Sequence, residues 1–127
     1  MKNNNRFEGN LDHNHGVKLL DFRFNGRTYE VRTTIHSLNR FKDHGLDVDG
    51  ALGSIVALGK ERLDGFALKN GEDTCIIDKV QHQAVVITFE SEGNYTQIRI
   101  ATIIPRDRVF VKAGTRIFTL REYKGGF

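Results

Sequence analysis

From residue 73 onward the apolar side chains recur at every second position, in four runs: "DTCIIDKV", "QAVVITFES", "YTQIRIATIIP" and "TRIFTLRE". A period of two, in segments rich in Ile, Val, Thr and Phe, predicts strands, and the pieces "SEGN" and "KAGT" read as turns. In the second run Val85, Ile87 and Phe89 share one face. In the third, Ile98, Ile100 and Ile104 do, so Thr102 is expected to pack with them and Arg99 to face away, lining an open sheet surface. Pro105, the only proline, marks the exit of that strand.

The first half of the chain has different periods. In "VKLLDFRFNGRTYEVRTT" the pair Asn25-Gly26 separates two alternating runs, which predicts a hairpin because both residues tolerate the positive φ of a type I′ turn. Next, Thr33 or Thr34 is suited to cap a helix that Gly45 ends. At about 100° per residue, Ile35, Leu38 and Phe41 fall within an arc of about 120°, and His36, Arg40 and His44 lie opposite. A second helix is predicted in "LDVDGALGSIVALGKERLDG". Asp47 is its cap, Val48, Leu52, Ile55, Val56 and Leu58 its apolar face, and Gly59 stands near its end. Gly50 and Gly53 each weaken it by about 1 kcal/mol relative to Ala, and suit close approach to a neighbour.

The expected fold is therefore α+β: an N-terminal β-hairpin, two helices, then an antiparallel β-meander. Residues 1–16, rich in Asn, Gly and His, read as a flexible tail, and residues 17–127 as a single domain. No apolar run approaches the roughly 20 residues that span a bilayer. The opening "MKNNNRFEGNLDHNHG" lacks the apolar stretch of a signal peptide, and Cys75 has no second cysteine to pair with. A cytoplasmic protein without membrane partners is the expectation. A formal net charge of +3 and an isoelectric point near 9.2 suit a nucleic-acid partner, though many proteins of that balance bind none.

Three places offer chemistry. His36 and Arg40, one helical turn apart, combine an imidazole with a guanidinium that can grip phosphate in two contacts. The nearby positive charge favours the neutral, proton-accepting ring. A base plus an anion clamp suits attack of a ribose 2′-hydroxyl on its neighbouring phosphate. The competing reading is the solvated side of an amphipathic helix. His82, in the turn "DKVQHQ", is a candidate second acid–base group or simply a turn residue. In "IPRDRVFVKAGTR", Arg106, Arg108, Lys112 and Arg116 surround Phe110, a pattern that grips phosphate while stacking an unpaired base. Alternatively, Val109, Phe110 and Val111 anchor that loop on the core. Arg99 completes the candidate RNA-binding set. His13 and His15 lack a carboxylate partner for a metal, and Cys75 reads as a core residue. The loops of nucleotide hydrolases, dinucleotide enzymes, zinc proteases and serine hydrolases are missing from the sequence.

Two stretches together resemble a known group. "IHSLNRFKDHGLDVDGAL" is similar to the H-x-x-x-R-x-x-x-[RH]-G-[IL] helix and following helix of RelE-like proteins. "QIRIATIIPRD" is similar to their late strand. The wider group is the barnase–EndoU–colicin–RelE nucleases, and the RegB-like phage endoribonucleases also carry an HxxxR helix. The resemblance covers roughly residues 33–120 and implies a RelE-like fold. It also implies RNA cleavage to a 2′,3′-cyclic phosphate without metal or cofactor, on messenger or ribosome-associated RNA. Within it His36 takes the acid–base role and Arg40 the phosphate-stabilising one. His44 replaces the second arginine of many relatives, the hairpin is an addition, and the second catalytic group is not identified. Two alternatives stand beside it: a non-catalytic phage or mobile-element protein that binds a host protein, and a single-strand RNA-binding module.

Overall fold

Gly26, at φ 77°, stands where the chain reverses between β1 (Val17–Phe24) and β2 (Arg27–Thr33). A computed structural model describes residues 16–24, 26–59 and 73–120. The pairing of β1 with β2 is antiparallel and sets Phe22 opposite Tyr29, their rings stacked with centroids 5.1 Å apart. Asn25, and the tail with His13 and His15, lie outside the described residues. Of the expected tail only Gly16 is described, and it bridges to Thr33.

Helix α1 (Ile35–Asp43) begins directly after β2. Thr34 Oγ1 accepts the Ser37 N–H at 2.9 Å, a cap worth about 1 kcal/mol, and Gly45, at φ 66°, follows the last turn. Helix α2 (Val48–Leu58) is capped the same way, the Gly50 N–H donating to Asp47 Oδ1 at 2.8 Å. The expected apolar faces need correction in both. On α1 only Phe41 is fully buried; Leu38 is half-buried and Ile35 is 58% exposed. On α2 the deepest positions are Ala51, Ser54, Ile55 and Leu58, while Val48, Leu52 and Val56 flank them. Small residues face the sheet, so the helix lies close to it. Gly50 is buried as part of that approach.

Strands β3 (Asp73–Asp78), β4 (Gln83–Glu92) and β5 (Tyr95–Ile104) pair antiparallel in sequence order. The short β6 (Arg116–Thr119) is the exception to the expected meander, because it pairs parallel to β3. A parallel partner requires a long return connection, and residues 105–115 provide it. The hairpin joins through β2, parallel to β5, giving a mixed six-stranded sheet in the order β1-β2-β5-β4-β3-β6.

Both helices cover one face. Tyr29, Val31, Ile76, Val85, Ile87, Phe89, Ile98 and Ile100 form the core there with Phe41, Ile55 and Leu58. A bulge changes the end of β5. Val86 pairs with Thr102 but Ile87 with Ile100, so Ala101 is an extra residue. One inserted residue inverts the alternation after it. Ile103, not Ile104, is therefore the core residue, 4% exposed beside Val85, and Thr102 lies on the far face instead of packing with Ile100. Cys75 is buried, and burial pushes its thiol above the usual range.

The far face carries a polar group. Tyr95 Oη donates to Glu30 Oε1 at 2.5 Å, Arg32 Nε donates to the same oxygen at 3.2 Å, and Arg32 Nη1 reaches the Gly16 carbonyl at 2.8 Å. Arg99, half-buried, stands between Arg32 and Thr88 on this face. Partial burial, and then the Glu30 carboxylate, hold the Tyr95 phenol far above its usual range. A raised folded-state value means that this contribution to stability is complete below about pH 10, the unfolded value, and is lost as pH rises above it. Alkaline titration followed by tyrosinate absorbance should show a tyrosine ionising far above the usual range, together with unfolding. The Tyr95→Phe variant should lack that step; an unchanged titration would contradict the assignment. Among the described residues no helix is long and apolar enough to cross a membrane.

Candidate functional site

The parallel pairings fix which loops are neighbours. Strands β2, β5 and β3 all finish at one end of the sheet, because β2 runs with β5 and β4 runs against both β5 and β3. Three segments therefore meet that end: the start of α1, the β3–β4 turn at residues 79–82, and the beginning of the 105–115 connection. They carry His36, His82, and Arg106 with Arg108.

His82 is held in an uncommon way. Its φ of 58° makes it the one non-glycine residue with positive φ among those described. That conformation costs on the order of 1 kcal/mol for a residue with a Cβ, although histidine adopts it more readily than most. The reversal puts the ring beside the next loop, where Nδ1 lies 3.1 Å from Asp107 Oδ2. The His82 side chain is 79% exposed and Asp107 25%. A pair so open contributes little to stability. Its consequence is orientation: in the tautomer whose Nδ1–H donates to the carboxylate, Nε2 is left as the acceptor, the arrangement an acid–base imidazole needs.

Arg106 and Arg108 flank Asp107 in sequence, and both are exposed. With Ile104, Val109 and Phe110 they line an open hollow of about 530 Å³. Phe110 is fully exposed, so it does not anchor the loop; Val109 and Val111 are half-buried and do. A bare aromatic ring beside two guanidinium groups offers a stacking surface and phosphate donors at one place.

The remaining candidates do not all gather at that end. His36 and Arg40 lie on the exposed side of α1, one turn apart, and His44 is that helix's exposed C-cap. Lys112 lies 3.7 Å from Asp73 Oδ2, and Arg116 pairs in register with Thr74, so both stand at the opposite end of β3. At about 3.3 Å per residue that end is roughly 15 Å from the His82 turn. Arg99 sits mid-sheet on the far face. Among the described residues no group of three or more His, Cys, Asp or Glu side chains is placed to hold a metal ion. Asp107 is the site residue that sequence reasoning missed. In "PRDR" it reads as one charge among several, and only the long-range pairing shows its partner.

No model of a protein family matches the chain, and no curated protein or solved structure matches it either.

Proposed function

We propose that this protein is a metal-independent endoribonuclease acting on unpaired RNA at the end of the sheet where His82 meets Asp107. That pair, set beside the Arg106–Arg108–Phe110 hollow, is the observation that carries the reading. In the proposed reaction one imidazole removes the proton of a ribose 2′-hydroxyl, whose oxygen attacks the adjacent phosphorus. The bond from phosphorus to the 5′-oxygen breaks, and a second imidazole gives that oxygen its proton. The products are a 2′,3′-cyclic phosphate and a 5′-hydroxyl. His82, oriented by Asp107, and His36, on the helix that starts at the same end, are the two imidazoles. Arg40, Arg106 and Arg108 stabilise the charge that grows on the phosphate oxygens. A cytoplasmic messenger or ribosome-associated RNA is the proposed target, as the RelE-like resemblance implies.

RNA affinity tests the binding half of this reading apart from the chemistry. Titration of a labelled single-stranded oligoribonucleotide at several salt concentrations should give a log–log slope that falls by about 0.7 for each of Arg106→Ala and Arg108→Ala. Phe110→Ala should weaken binding by about 1–3 kcal/mol with the slope unchanged. Absence of RNA binding, or slopes that none of these variants changes, would move the reading to a non-catalytic protein that binds a host protein. Binding without cleavage would leave a single-strand RNA-binding module.

A further inference from the structure

The left-handed His82 does not stand alone. The turn before it is tied to the first two turns of α2 by buried and half-buried polar contacts that the proposed chemistry does not use. Asp78 is fully buried at the end of β3. Its Oδ1 accepts the backbone N–H groups of Val80 at 3.0 Å and Gln81 at 2.9 Å. Its Oδ2 accepts from Ser54 Oγ at 2.7 Å and from Gln81 Nε2 at 3.0 Å. Gln81 Nε2 also donates to the Gly50 carbonyl at 3.0 Å, and Gln83 Nε2 donates to Ser54 Oγ at 3.0 Å. Gly50 leaves no room for a side chain: a Cβ there would meet the Asp47 carboxylate and lie 2.7 Å from Gln81 Oε1.

A carboxylate with four donors, shut away from water, keeps one geometry, because releasing any partner leaves a buried charge short of a hydrogen bond. The turn's backbone is held at Val80 and Gln81, and the next residue is His82. We propose that Asp78, Ser54, Gln81 and Gly50 form a seat that holds the β3–β4 turn in the conformation delivering His82 to Asp107. Asp78 and Gln81 are then positioning residues for the acid–base step. The inference rests on the endoribonuclease reading for its kinetic consequence, and on contacts alone for its structural one.

The test uses Gln81→Ala, which removes the brace but leaves the Asp78 turn, and Gly50→Ala, whose Cβ meets the Asp47 cap first and the Gln81 side chain next. Imidazole ¹⁵N NMR of the full-length protein reads the proportion of the His82 ring carrying its proton on Nδ1. Both variants should lower that proportion. Both should also reduce kcat for RNA cleavage by about ten- to a hundredfold, with KM unchanged. Combining Gln81→Ala with Asp107→Ala should be no worse than Asp107→Ala alone, since both act through one ring. A merely structural role would lower thermal stability while leaving the tautomer and the kcat–KM split as in wild type. That result, with both variants folded, would overturn the proposal. The NMR reading needs no catalysis, so wild type that cleaves nothing would refute the nuclease reading and leave the seat to be judged by the ring.

Discussion

His82→Asn is expected to lower RNA cleavage by about 10²–10⁴-fold, the usual contribution of a positioned acid–base group, and to leave RNA affinity nearly unchanged. Asparagine suits this test because it tolerates the left-handed backbone that His82 occupies at φ 58°. The turn should therefore survive, and the thermal midpoint with it. What disappears is the ring whose Nδ1 meets Asp107 at 3.1 Å. Asp107→Asn should cost less, because the imidazole is still present and only its orientation is loosened. If His82→Asn cleaves at the wild-type rate, His82 is a turn residue with an incidental ion pair, and the site must be moved.

The second large effect concerns the helix that carries His36 and Arg40. Phe41→Ala should destabilise the protein by about 3–5 kcal/mol, measured by urea unfolding. Against a usual total of about 5–15 kcal/mol that loss is severe. The reason is that α1 has a single fully buried side chain, Phe41 at 1% exposure, where it joins the core cluster with Ile98 and Ile100. Ile35 is exposed and cannot compensate. Amide exchange along α1 should rise more than exchange in β4 and β5, because the helix loses its anchor while the sheet keeps its ladders. A cost below about 1 kcal/mol would show that other contacts hold α1 in place, since that is outside the usual range for a buried phenylalanine.

Local chemistry was readable wherever a few adjacent residues decide it. Asn25-Gly26 between alternating runs marked the hairpin, and Thr34 and Asp47 are the caps in fact. The features that escaped depend on distant partners. Nothing in "QIRIATIIP" shows that Ala101 is a bulge, because the sequence alternates smoothly through it; only the register against Val86 and Ile87 reveals the inversion. The parallel pairings of β2 with β5 and of β3 with β6 are equally silent in the sequence, since strands carry no mark of direction. The same holds for the site. Its basic loop and its histidines were visible as residue types, but His82 and Asp107, 25 positions apart, become a pair only through the fold.

The most direct measurement is incubation of a mixed-sequence RNA with the protein in the presence of EDTA, with analysis of the fragment ends. Wild type should release fragments ending in 2′,3′-cyclic phosphate, and folded His36→Ala and Arg40→Ala variants should release none. Intact RNA across varied sequences, ribosome-bound message included, would contradict the nuclease reading.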